Sequence, residues 1–490
     1  RTCPVIQKGR IMDKTYFIEQ STSLTLVIVI SLIFAVLGIY HSKKFGGINN
    51  YLTANRNIGL FSLTTSLVAS ALGAWILFGP ASASTWGGLG AVIGYSLGTA
   101  FPMIFLIYLG KKIRNEFPRG SSLIEFMRKK FGKSLFKLIL LMTIFYMFIF
   151  LCAEVTAVAV LINYISGTEL WITALIVLLA TLSYTLYGGL RASIFTDNIQ
   201  MIVIGILLIV SVSYIISFTG NEFSFAFIEE KNPQLLSGSY IPSYTAGLTF
   251  FIAVAATNLF HQGNWQRVYA AKDYQTLKKS LIISFFIIVP IVFFMGFTGM
   301  VSFSIDPTGR PDLGFFTLLL KEQSEILSLV IVTLGLALTI STVDTLVNAI
   351  SSLFVVDGKA TFNLNKKTDY LKLSKYFIIF LSLIAFIIAS KGFDVLYLFL
   401  LADLFCCAFV FTVFYSFYNK GINEKTAYIS IVVGLLGGFL MFPFPDFSKS
   451  LLVGILAPKE MFSPFVVQSL LFLSFIVATF LPAIILKIKR

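Results

Sequence analysis

The stretch LTISTVDTLVNAISSLFVVD, residues 338–357, closes a long apolar run that begins near Leu327. Ser341, Thr345, Asn348 and Ser352 recur at i, i+4, i+7 and i+11, so they share one face of a helix, with Asp344 beside them. A carboxylate surrounded by hydrocarbon is costly. The stripe is therefore expected to face a protein interior or a wet cavity and to find a partner there.

The surrounding chain supplies the hydrocarbon. Of 490 residues, 57% are hydrophobic and 12% charged, where a soluble domain carries about 25% charged residues. This is the composition of an all-α, polytopic membrane protein. Runs of roughly 18 or more apolar residues number thirteen: 24–41, 60–80, 89–110, 135–164, 170–187, 190–217, 243–262, 278–303, 326–356, 372–391, 394–418, 425–444 and 465–487. The 51 Phe serve packing and the headgroup region.

The net charge of +14 does not point to nucleic acid, because Lys and Arg lie in short segments between apolar runs. With the N-terminus outside, 27 of them fall on the inner side and 10 on the outer. Segment 111–134 alone holds eight. The expectation is a multi-pass protein of the cell (inner or plasma) membrane, N-terminus outside and C-terminus cytoplasmic. Within that segment Ser121 or Ser122 is placed to cap a short helix reaching Lys130. Residues 1–11 are polar and precede Met12. No cleavable leader is expected, and the first apolar run is long enough to stay as a helix. Cys3, Cys152, Cys406 and Cys407 show no metal-ligand spacing. Segments between runs stay short, which leaves no room for a catalytic domain. No nucleophile–base pair stands out, so an enzyme is disfavoured, and no obligate protein partner is evident.

Several runs carry polar or breaking residues. SLVASALGAWILFGPASAS (66–84) crowds small residues and then breaks or ends at Gly79–Pro80. TNLFHQGNWQRVYAAKD (257–273) is dense in polar groups at an expected helix end, where the plain reading is an interfacial terminus with Arg267 snorkelling to the surface. His261 is a proton-sensitive candidate or a hydrogen-bonded structural residue. In YGGLRASIFTDNIQM (187–201) the double Gly suits a tight turn, and Asp197 lies two turns inside the following helix, a natural partner for the Ser341 stripe. Asp394 reads as a helix cap, Glu154 as a partner for a neighbouring helix, and Asp403 sits mid-run without an assigned role.

The second and seventh runs are both interrupted, and they lie five runs apart. An odd offset makes two five-helix units run in opposite directions. Interrupted helices at matching positions of inverted repeats point to a midplane binding site in a secondary transporter.

GGLRASIFTDNIQ (188–200), STVDTLVNAISSLFVVD (341–357) and WQRVYAAKD (265–273), the last expected on an inner loop, resemble three ordered motifs of the sodium:solute symporter family. The resemblance spans essentially all thirteen runs. It implies a leucine-transporter-like core of two inverted five-helix repeats, at 60–217 and 243–418. Around these it implies a tail (1–23), an accessory helix with its inner loop (24–59), an outer loop (218–242) and two C-terminal accessory helices (419–490). It also implies a sodium site made by the carbonyls of Ala69, Leu72 and Leu338 and the hydroxyls of Ser341 and Thr342, with Asp197 nearby. A second ion would involve Asp197, Asp344 and Thr345. Neutral hard oxygens of this kind suit a weakly held alkali cation that must also leave.

The solute cavity is expected between the two breaks, bordered by Trp75, Tyr95, Thr257, Asn258, Gln262 and Asp403, with Trp75 and Tyr95 as gates. Ala71 stands where proline carriers of the family have Asp, and Ile76 where sugar carriers have polar residues. FPRGSSLIEFMRKKFG (117–132), HQGNWQR (261–267) and LADLFCCAFVF (401–411) are similar to the urea and polyamine branch. The expected function is sodium-coupled import of a small polar solute, such as an amino acid or urea. Its rivals are a proton-coupled carrier titrating at Asp197, Asp344 or His261, and a solute sensor that moves nothing.

Overall fold

The computed structural model describes residues 16–361, 369–419, 421–451, 453–458 and 463–488; Cys3 and the tail up to residue 15 lie outside the described residues. Numbering only the helices used below, α1 is Gln20–Ser42, α2 Leu60–Ala71, α3 Gly79–Glu116, α4 Leu123–Lys130, α5 Lys133–Ser166, α6 Leu170–Thr219 and α7 Ile241–Phe260. They continue as α8 Gln262–Ala270, α9 Tyr274–Ile305, α10 Glu325–Leu353, α11 Tyr370–Ala389, α12 Val395–Ser416, α13 Glu424–Met441 and α14 Pro464–Ile488.

Among the described residues, eleven helices are long and apolar enough to cross a membrane. One of them, α6, has 50 residues, about 75 Å at 1.5 Å per residue, far beyond a hydrocarbon core of about 30 Å. Gly189 interrupts it with φ 58°, ψ −149°. Only glycine takes that conformation readily, and a Cβ there would lie 2.5 Å from the Tyr51 ring. Gly88 interrupts α3 in the same way, φ 53°, ψ −151°. Thirteen spans follow if the chain reverses at both glycines and α2 joins the first turns of α3 as one broken span.

Sorting by exposure separates the lipid face from the core. On α1, Leu32 and Val36 are 55% and 62% exposed, one turn apart, as a lipid-facing stripe should be. On α10, every residue from Leu334 to Leu353 is buried, polar ones included. This helix packs against α5, α6 and α2 and forms the centre of the bundle. Close approach elsewhere depends on small residues. A Cβ on Gly90 or Gly94 of α3 would come within 2.1 Å of the Ser243 carbonyl oxygen or 2.0 Å of that of Gly247, both on α7.

Caps fall largely where the residues call for them. Ser122 accepts from the Glu125 amide at 3.0 Å in a reciprocal capping box at the start of α4. Asp394 accepts from the Tyr397 amide at 2.7 Å to start α12. Two expectations are corrected. The second run does not break at Gly79–Pro80. Helical geometry is lost earlier, between Leu72 and Phe78, and Pro80 sits in the first turn of α3, where a missing N–H costs nothing. Most of WQRVYAAKD is not an inner loop, because residues 262–270 form the buried helix α8; only residues 271–273 lie beyond it.

Candidate functional site

Two breaks face each other at mid-bundle. At the first, Leu72 is extended (φ −106°, ψ 93°) and Gly73 fully so (φ −95°, ψ −176°). The Ala74 amide, which in a continuous helix would bond the Ser70 carbonyl, donates instead to Glu154 Oε2 at 2.9 Å. Glu154 is wholly buried on α5 and lies so close that a Cβ on Gly73 would meet its Oε1 at 2.1 Å. The carbonyls of Ala69 and Leu72 thus stand at a frayed helix end.

At the second break, His261 leaves helical geometry (φ −58°, ψ 108°). The side chains of Asn264 and Trp265 donate to the stranded carbonyls of Asn258 (3.0 Å) and Leu259 (2.7 Å). Ser70 and Asn264 touch at 3.3 Å, joining the two breaks.

The opening stripe finds its partners. Ser341 Oγ donates to Asp197 Oδ1 at 2.7 Å, and Ser66 Oγ donates to Oδ2 at 2.6 Å. Arg267 completes the cluster. One terminal nitrogen donates to Asp197 Oδ2 at 2.8 Å and to Thr345 Oγ1 at 3.0 Å, while Nε donates to Ser66 Oγ at 2.7 Å. Arg267 and Asp197 are both fully buried, which rules out the snorkelling expected for Arg267. An arginine in such a place must be paired. Further along the stripe, Asn348 donates to Gln266 Oε1 at 3.3 Å, and Ser352 takes a weak 3.4 Å contact from Gln262.

Asp344 turns toward α6. Tyr184 and Thr196 donate to its Oδ2 at 2.5 and 3.1 Å, Ser193 to Oδ1 at 2.7 Å. Thr342 donates to the Leu338 carbonyl at 3.1 Å, which leaves the hydroxyl lone pairs free. Among the described residues no group of three or more His, Cys, Asp or Glu could hold a transition metal. The oxygens near the first break are mostly neutral, the kind a sodium ion takes.

Between the breaks lies a cavity lined by Ser70, Ala71, Trp75, Tyr95, Phe150, Val254, Thr257, Asn258, His261, Thr342, Phe399 and Asp403. Five of the six expected residues are here. Gln262 is not, since its amide nitrogen donates to the Ser121 carbonyl at 3.0 Å, on the α4 side. Trp75 and Tyr95 stack at 5.4 Å between centroids, and Thr257 donates to Asp403 Oδ1 at 2.6 Å. The sequence reading missed Phe150 and Phe399 in the wall, and the hydroxyls of Ser66, Tyr184, Ser193 and Thr196. Nothing local marks a Phe or Thr on an apolar helix. The one available signal was Arg267, a cation in apolar surroundings that needs an anion.

The chain is similar to known transporters. It is 24% identical to the spermidine transporter DUR31 of Candida albicans over 81% of this chain and 76% of that one. It is 22% identical to the mouse (Mus musculus) sodium/glucose cotransporter 4 over 85% and 68%. Among solved structures, a substrate-bound, outward-open sodium-coupled sialic acid symporter superposes with TM-score 0.71 at 17% identity, covering 94% of this chain and 98% of that one. MhsT in complex with L-phenylalanine follows at TM-score 0.52 and 15% identity, covering 88% and 98%. These likenesses carry the fold, an all-α core of leucine-transporter type in a multi-pass membrane protein, and the relatives are transporters rather than enzymes. Residues 51–434, well over half the chain, match the model of the sodium:solute symporter family, and the chain belongs to that family.

Proposed function

We propose that the chain imports a small polar organic solute by sodium-coupled symport, through alternating access of the cavity between the two breaks. The observation that carries this reading is the position of Thr342. Thr342 lines the cavity, and its hydroxyl and the Leu338 carbonyl it bonds are both oxygens of the proposed sodium set. With Ala69, Leu72 and Ser341 they would surround an ion that ties α10 to the frayed end of α2, and these two segments pack together. Binding there stabilises the solute-ready arrangement, because a ligand favours the state it binds more tightly. A membrane potential of about 100 mV contributes about 2.3 kcal/mol per charge moved inward.

The reading includes one sodium rather than two. The second-ion set of Asp197, Asp344 and Thr345 is already served by Arg267 and by hydroxyl donors. The orientation with the N-terminus outside, the cell-membrane location and the repeat boundaries at 60–217 and 243–418 belong to the same proposal. The names of the relatives, for a polyamine and for glucose, support a polar organic cargo.

Proteoliposomes with an imposed inward sodium gradient test it. Uptake should follow the gradient and saturate with sodium without sigmoidicity. Uptake that persists without sodium and collapses with a protonophore selects proton coupling instead. Solute binding without counterflow selects a sensor.

A further inference from the structure

The cavity wall has an unusual division of labour. Among the described residues Asp403 is its only carboxylate, 3% exposed, and no Lys or Arg lines it. Thr257 satisfies Oδ1 at 2.6 Å, while Oδ2 takes no hydrogen bond from any described residue. His261 stands in the same wall, its Nδ1 without a hydrogen-bond partner among the described residues, Asp403 included. An unbonded carboxylate oxygen on a buried residue that lines a cavity asks for a cation.

Around it the walls are aromatic. Trp75 and Tyr95 lie nearly parallel (17°), Phe399 meets Trp75 edge-on at 6.3 Å, and Phe150 meets Phe399 at 84° and 4.7 Å. Ring faces of this type attract ammonium groups.

Two other cargo chemistries are disfavoured by the same wall. A sugar needs hydrogen-bond donors as well as acceptors, and three of the polar side chains here already donate to the protein's own carbonyls. Ser70 donates to the Leu67 carbonyl, Thr342 to that of Leu338, and the Asn258 amide to that of Val254. A carboxylate-bearing solute would seek the free N–H groups of the broken helix, but the Glu154 side chain has taken the Ala74 amide.

We propose that the cargo is an organic ammonium ion, its charge on Asp403 Oδ2 and its alkyl groups among Trp75, Tyr95, Phe150 and Phe399. This rests on the reading of the cavity as the solute site. A single unpaired carboxylate oxygen sets the minimum requirement at one positive charge.

The test uses the purified full chain in lipid nanodiscs with sodium present. Melting temperature and competition binding are read with choline, butylammonium, spermidine, proline and glucose. A further probe is the uncharged isostere of choline, in which a tert-butyl group replaces the trimethylammonium. At least one ammonium probe should stabilise the protein and the uncharged isostere should not. Asp403→Asn should weaken that probe about tenfold or more while radiolabelled sodium still binds. Should Asp403→Asn fail to fold, Trp75→Leu should weaken the same probe and Trp75→Phe should retain it. Binding of proline or glucose in preference to every ammonium probe overturns the proposal. So does an isostere as effective as choline, unchanged affinity in Asp403→Asn, or no response to any ammonium probe. Ammonium binding without sodium-driven uptake sinks the carrier reading and leaves this one standing. Sodium-driven uptake of a neutral or zwitterionic solute does the reverse.

Discussion

Arg267 and Asp197 offer a quantitative test of what holds the centre of the bundle together. Arg267→Met keeps a side chain of similar reach and removes the charge. Asp197 would then be a fully buried anion with only the Ser66 and Ser341 hydroxyls, at 2.6 and 2.7 Å, to hold it. Asp197→Asn does the converse, leaving a buried guanidinium with Ser66, the Gly263 carbonyl and Thr345. Removing one member of a buried pair costs about 3–5 kcal/mol, whereas replacing both by neutral groups is often nearly neutral. Each single variant should therefore melt well below the native chain, and the double variant should recover most of the loss. The signature is strong non-additivity, with a coupling energy of about 2 kcal/mol or more. Sodium should rescue Arg267→Met more than the native chain, because the orphaned carboxylate borders the proposed ion site. The assay is thermal unfolding of the four proteins in detergent at low and high sodium, with potassium as the ionic-strength control. Single variants as stable as the native chain, or a double variant no better than the worse single, would refute the claim that the pair is the central electrostatic contact.

Three more outcomes follow from the geometry. Thr342→Ala removes one oxygen of the proposed ion set, a charge-assisted contact of about 1.5–3 kcal/mol; the sodium needed for half-maximal uptake should rise about tenfold or more, and an unmoved sodium titration removes Thr342 from the site. Glu154→Ala strands the buried Ala74 amide, a loss of about 1–3 kcal/mol, whereas Glu154→Gln keeps an acceptor; equal melting of the two variants shows that the carboxylate does not stabilise the break. Gly94→Val forces a side chain where a Cβ already lies 2.0 Å from the Gly247 carbonyl oxygen, so melting should fall by at least the usual overpacking penalty of about 1–3 kcal/mol. Gly205→Ala, with nothing within 4 Å of its Cβ, serves as the control and should lose nothing.

Much of the site could be read in advance because its elements carry local marks. The Ser341 stripe is a helical repeat of polar residues in an apolar run, and it meets Asp197 through Ser341 as its depth in the chain implied. The breaks were announced by small and polar residues in the second and seventh runs. Their positions were less legible. Gly79–Pro80 looks like the breaker, yet proline is well suited to a first helical turn. The actual loss of helix depends on Glu154, 80 residues away, accepting the Ala74 amide. Gln262 was placed in the cavity by its proximity to the break, and one residue of helical rotation after His261 sends its amide to Ser121 instead.

The amino-acid sequence by itself determined the solvent this protein lives in, its helical spans, the helix that must be central and the polar groups that could not face lipid. Those are properties of composition and period, which a segment carries wherever it packs. Tertiary structure alone decided who pairs with whom. Arg267 lies 70 residues from Asp197, and Asp403 lies 146 from Thr257. In a bundle where almost every span is apolar, hydropathy does not distinguish one neighbour from another. The choice is made by helix contacts that bring a buried charge to a partner able to neutralise it.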